Sequence, residues 1–402
     1  MMKEAFGKSK RIEWIDGLRG IACILIFTHH FLCAFFPSTH YGTGAMSHGS
    51  NGWDVHLTQS PLSAVVNGNF WVCVFCLLSG LVLSYQIFCA DDFSKVPNTM
   101  VKRYFRLVFP VFVTSVIVFV MMKLSLFTNG QANEIMQSPW MGDFYQGDYS
   151  LKEVFLTSFV TVWFQGDNTF STAFWVLKYI FIGSFLSYIL SIISHNRKRT
   201  VLVVHLFLMY VFFIMGNYFY MLSVFGTFLA YIMVYEKKPK YCGMIGFLCI
   251  LLGLFLGGFP TEIAPTNIYR IISKQEYWVH HSIGAILFVL GVYYLGIAGK
   301  ALSGKIFSEL GKISFAVYLL HIPILLSFST TLFCKVYALN CGYEMAALIS
   351  YATSFLLLII CAWIFFHTVE RGCGRLTNRI VDWIMKTKEN GGEGEVQHKG
   401  NS

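Results

Sequence analysis

The sequence predicts an all-α polytopic membrane protein of about ten transmembrane helices, with both termini on the cytoplasmic side. Composition is the first reason. Of 402 residues, 55% are hydrophobic and 13% charged, with 39 Phe and 21 Tyr; a soluble domain carries about 25% charged residues. Pattern is the second: apolar stretches of about 16–23 residues recur from end to end, the length that crosses a hydrocarbon core of roughly 30 Å. The third is where the basic residues fall. With the N-terminus inside, the inner segments collect 23 of the 30 Lys and Arg, the asymmetry of a polytopic protein. The net charge of +9 is thus a topology signal, and no nucleic-acid partner is expected.

The ten spans are placed at 20–37, 70–89, 107–127, 172–194, 201–216, 218–235, 242–259, 279–298, 313–333 and 345–366. Residues 1–11 form a polar inner segment, and no small-residue cleavage site follows the first apolar run, so no removable signal peptide is expected. Residues 12–371 make the membrane domain. Residues 372–402 make an inner tail, expected to be disordered from about 386, where Gly391-Gly-Glu-Gly394 and many charges leave nothing to bury. Between the third and fourth spans, residues 128–171 are too polar to cross. Trp140, Tyr145, Tyr149, Trp163 and Phe164 suit an outer interface there, with 151–166 lying flat or re-entering.

The first span carries ionisable groups into lipid depth along one stripe. The eleven steps from Arg19 to His30 return to within about 20° of the same helix face and advance about 16 Å, whereas His29 points about 80° away. Asp16 falls about 40° from His30 on that face. Ionisable groups at such depth are costly and mark a site or a polar pathway. Arg103 and Arg106 stand one turn apart at the inner end of the third span. They suit anionic lipid, or a phosphate held bidentately by each guanidinium. Ser79-Gly80 lies mid-span in the second, where small residues admit a neighbouring helix or a ligand.

Trp175 and Lys178 share one side of the fourth span, where Lys178 also reads as a residue snorkelling to the outer interface. His321 lies about 15 Å in from Gly311, next to Pro323, which frees a backbone carbonyl. Structural and site roles are both open for it. The outer loop 38–69 offers His40, His48, Asp54 and His56, but their spacing matches no compact ligand set and no metal is expected. Cys73 and Cys76 have CxxC spacing inside an apolar run and read as core residues. Cys334 and Cys341 flank an outer turn and could pair.

Taken in order, these signals resemble one family. They are Asp16-Gly-Leu-Arg-Gly20 followed by His30; Asn69-Phe-Trp-Val-Cys-Val-Phe-Cys-Leu-Leu-Ser-Gly80; Arg103-x-x-Arg106 before Pro110; Trp175 with Gly183-Ser184; Gly311-Lys-Ile-Ser-Phe-Ala-Val-Tyr-Leu-Leu-His-Ile-Pro323; and Glu370. Over residues 12–371 the chain resembles the acyltransferase-3 family of membrane-bound O-acyltransferases. The resemblance implies ten core helices in a multi-pass protein of the plasma membrane. It implies an acyl-CoA donor from the cytoplasm, a carbohydrate or other hydroxyl acceptor, acetyl or another short acyl group as cargo, and no cofactor besides the donor. It also implies Arg19 and His30 as the catalytic pair, with His30 as general base, and Arg103, Arg106, Ser79 and Gly80 as the donor site. His321 and Trp175 match later motifs, with Asp16 and Lys178 as further candidates. One position departs: Ile180 stands where relatives commonly carry a glutamate just before the Gly-Ser pair. Either another acid replaces it or catalysis is altered or lost. A transporter or lipid-handling protein with a polar passage, and a non-catalytic binder of acyl-CoA or glycan, are the competing readings.

Overall fold

The computed structural model describes residues 12–398 apart from 43, 91–92, 94–95, 143, 195–197, 264–266 and 273–275, with side chains described to residue 384 except that of Lys198. The polar segment 1–11, the basic residues Lys95, Arg197, Lys274 and Lys399, and the side chains of Lys386 and Lys388 therefore lie outside the described residues.

Ten helices account for the ten apolar stretches. They are α1 (Glu13–Phe35), α2 (Gly68–Ala90), α3 (Val96–Lys123), α4 (Trp175–Ser194), α5 (Lys198–Ile214), α6 (Tyr218–Tyr235), α7 (Cys242–Gly257) and α8 (Tyr277–Tyr294). The ninth, α9 (Lys305–Ile324), runs through a π turn at Leu325–Ser329 into Thr330–Tyr337. The tenth, α10 (Tyr343–Phe365), runs through a second π turn at Phe366–Glu370 into a helix drawn from Arg371 to His398. The expected disordered tail from about 386 falls on that last helix, beyond the described side chains.

Seven of these helices are long and apolar enough to cross a membrane, and α8 joins them only together with Gly296–Leu302, bent from it by 92°. Among the described residues seven to eight spans reach that length, and the expected ten are not confirmed. The shortfall lies in α5 and α7. At 16 residues α7 is about 24 Å long, short of a hydrocarbon core of about 30 Å. It is halted by Gly257-Gly258 and Pro260, which the apolar count passed over.

Helix starts also differ from the expected spans. α1 begins at Glu13 and α3 at Val96, so Asp16 lies in the first turn of its helix, while Arg19, Arg103 and Arg106 sit further in. An apolar window finds the hydrocarbon-depth part of a helix, while the backbone continues into the interface. The stretch 128–171 carries Asn129–Met136, Leu151–Leu156, a π turn at Thr157–Thr161 and Val162–Phe164. Its second half presents Leu151, Phe155, Leu156, Val160 and Phe164 outward while burying Val154, Val162 and Trp163. That amphipathic layout fits a segment lying along the interface. Cys334 and Cys341 are free thiols.

Close packing sets the centre of the fold. α1 packs on α9 and α2, and α2 in turn on α6, α4 and α8. Small residues make these approaches feasible without a hydrophobic drive between helices in lipid. A Cβ on Gly311 of α9 would stand 2.2 Å from the Asp16 carbonyl oxygen, and one on Gly20 of α1 would stand 2.7 Å from the Gly311 nitrogen. α2 and α6 touch in the same way, Gly80 against the Ser223 carbonyl oxygen at 2.4 Å and Gly226 against that of Leu77 at 2.3 Å.

Candidate active site

The glycine crossing of α1 and α9 holds the two helices face to face, so that residues further along each also meet. Arg19 and Ser314 share one cavity, and His30 and His321 touch about three turns further along α1 and two along α9. The Gly residues of the Asp16–Gly20 and Gly311 motifs therefore act through packing, and the ionisable residues beside them inherit the alignment.

The cavity holds about 250 Å³. Its charged lining is Arg19, Arg103, Arg106 and Lys312 against Glu370, an excess of three positive charges suited to a polyanion. Ser79, Ser314 and Tyr318 add hydroxyls, and Phe75, Leu78, Leu177 and Ile180 supply apolar walls. Arg19 places its guanidinium over the Phe75 ring, 5.5 Å from the centroid. Arg103 donates from Nε to Ser184 Oγ at 3.2 Å and from a terminal nitrogen to Ser79 Oγ at 3.3 Å. Three stretches distant in sequence, the paired arginines, Ser79 and the Gly-Ser step of α4, are thereby tied at one wall. Arg106, one turn on, is exposed at the rim, and Lys312 is shared with Glu309 at 2.5 Å.

Beyond Tyr318 lies the imidazole pair. His321 Nε2 is 3.3 Å from His30 Nδ1. His321 Nδ1 lies 2.7 Å from the Tyr318 carbonyl oxygen, and His30 Nδ1 lies 2.9 Å from that of Ile26. A carbonyl only accepts, so both Nδ1 atoms carry hydrogen. His321 Nε2 is then an acceptor for His30, and the lone pair of His30 sits on Nε2. His30 is flanked by Trp140, with ring centroids 5.3 Å apart, and by His29 at 5.4 Å. The helical phase that favoured His30 over His29 agrees with this arrangement: His30 faces α9, while His29 donates to the Val66 carbonyl of the loop at 3.1 Å.

The remaining candidates sit elsewhere. Gly80 does not line the cavity; its missing side chain serves the contact with α6, so the space expected for a donor chain is taken by a helix. Asp16 is buried at the α1–α9 crossing, outside the cavity lining. Trp175 packs on Phe219 and Trp278 with centroids 5.4 and 6.2 Å away, and Lys178 lies 5.7 Å from the Tyr179 ring centroid. Both are on the opposite part of α4 from Ser184. Three lining residues received no role from sequence. Tyr318 shares the face of His321 at a three-residue step, a signal that was there to read. Lys312 was counted only as an inner charge. Glu370 closes the π turn after α10, and a register shift of that kind has no signature in an apolar count.

Fold and site together define a multi-pass helical membrane protein whose basic cavity leads towards a buried imidazole. The family model for an acyltransferase domain, Acyl_transf_3, matches residues 12–367. The chain belongs to the acyltransferase-3 family. Among curated proteins it is similar to Acyltransferase R4 of Phoma sp., 29% identical over 146 residues, 33% of this chain and 31% of the relative. It is also similar to Acyltransferase clz18 of Cochliobolus lunatus, 26% identical over 169 residues, 38% of this chain and 35% of the relative. The chain thus spans about a third of the length of these relatives. No solved structure matches it.

Proposed function

We propose that this protein transfers an acyl group from acyl-CoA to a hydroxyl of a carbohydrate or similar acceptor, with the donor entering from the cytoplasm. The observation that carries the reading is the cavity of Arg19, Arg103, Arg106 and Lys312 in line with the His321–His30 pair. Arg103 and Arg106 hold the phosphates of CoA bidentately. The basic asymmetry of the sequence assigns their end of the bundle to the cytoplasm, where the donor is made. The thioester arm reaches along α1 towards His30.

There Nε2 of His30 accepts the hydroxyl proton as the acceptor oxygen attacks the thioester carbonyl. Arg19, about 16 Å nearer the inner end of that stripe, lines the donor cavity and holds the bound donor electrostatically. As the tetrahedral intermediate collapses, the C–S bond breaks and the imidazolium returns its proton to the CoA sulfur, leaving an ester and free CoA thiol. His321 holds His30 in the tautomer that this needs. Glu370 is the carboxylate of the cavity in which Ile180 occupies the usual glutamate position, and it orients Arg19 electrostatically.

Free thiol release from acetyl-CoA by the purified protein, with and without candidate glycans, tests this. The expected result is acceptor-dependent release that is lost in His30→Ala. Saturable donor binding without release under every acceptor would leave a non-catalytic binder, and no donor binding at all would sink the reading.

A further inference from the structure

The turn of α1 that sends His30 towards α9 sends His29 the other way, where a second set of donors gathers. His29 and Cys33 are four residues apart and stack on one helix face. The short helix Ser38–Tyr41 then brings His40 back against them. His29 Nε2 lies 3.5 Å from Cys33 Sγ, and the His29 and His40 ring centroids are 5.3 Å apart. One ligating atom from each of the three residues lies within 4.8 Å of the others.

Three features suit this group to a metal ion. His29 Nδ1 is bound to the Val66 carbonyl, which fixes the hydrogen there and aims the Nε2 lone pair into the cluster, as a backbone partner does for metal-binding imidazoles. The spacing also fits: tetrahedral zinc with Zn–S of about 2.3 Å and Zn–N of about 2.0–2.1 Å sets S and N about 3.6 Å apart. A polar cavity of about 20 Å³ adjoins the cluster, lined by His29, His40, Thr39, Thr58, Ser63 and Asn67, room for one water-sized ligand.

We propose that His29, Cys33 and His40 form a binding site for one zinc-class divalent ion, with a fourth position open to water. The ion clamps the end of α1 to the loop that follows it. The site stands apart from the acyl-transfer reading, since its side of α1 lies about a quarter turn from that of His30 and it uses none of the cavity residues. A thiol donating to His29 Nε2 gives the same separation without any metal, so the test must see the metal–sulfur bond.

The full chain, purified in detergent without a polyhistidine tag and stripped by chelator, is titrated with Co2+ and separately with Zn2+. We expect one equivalent bound per chain and a thiolate-to-cobalt charge-transfer band that Zn2+ displaces. Cys33→Ser should abolish the band. His40→Gln should weaken binding by at least about tenfold, whereas His48→Gln, outside the cluster, should bind as wild type. The wild-type spectrum decides without depending on how any variant folds: absence of the thiolate band overturns the site. So would a full equivalent retained in both Cys33→Ser and His40→Gln.

Discussion

At His30 the two ring nitrogens divide their tasks. Nδ1 is committed to Ile26 and His321, which leaves Nε2 for the proposed base. Truncation to His30→Ala therefore removes the proton acceptor itself, and kcat for thiol release should fall by about 10²–10⁴. His321→Ala removes only the group that holds the ring, so its loss of kcat should be smaller, with the donor KM unchanged. Equal losses from both would make the pair a joint base. At the cavity, Arg103→Ala with Arg106→Ala should raise the donor KM more than that of the acceptor, since in the proposed mechanism these side chains hold the phosphates and not the reacting carbon. An unchanged donor KM would remove the clamp. Helical phase made Arg19 and His30 legible because one helix carries both. The contact between His30 and His321 was not, because 291 residues separate them and only the crossing of two helices joins them.

At the scale of elements, the α1–α9 crossing is held by glycines that a motif search takes for signature and that the fold uses for clearance. In Gly311→Ala the new methyl meets the Asp16 backbone, not a mobile side-chain tip. Overpacking of this kind costs about 1–3 kcal/mol. The same exchange at Gly374, where nothing lies within 4 Å, should be neutral or stabilising by about 0.5–1 kcal/mol, since alanine favours the helix. Thermal melts in detergent separate the two, and equal melting temperatures would deny the crossing its role. At Gly80, left open in sequence to a helix or a ligand, the neighbour is a helix. Small residues signal close approach, but sequence does not say whether a ligand or a helix approaches. The π turn at Leu325–Ser329 follows Pro323, whose missing N–H breaks the regular ladder there. Sequence located that irregularity, whereas the turn ending at Glu370 has no proline to announce it.

For the whole molecule, class and span positions were legible because hydrophobic length is counted along the chain. Helix ends were not, because polar turns continue past lipid depth, and neither were the two short helices, which apolar composition alone counted as full crossings. Orientation rests on charge. Reporter tags at the two ends should both be shielded in sealed right-side-out vesicles and both become accessible on permeabilisation; a tag exposed at either end would reverse the assignment.

Tyr318 carries a consequence at this scale. Its hydroxyl is pinned to the Ala173 carbonyl, and its ring lies between the charged cavity, which it lines, and the imidazole pair, which does not line that cavity. A water-filled path from one face to a pair of proton-exchanging rings would short-circuit an energised membrane. The tyrosine ring thus stands as a partition between the basic cavity and the imidazole pair.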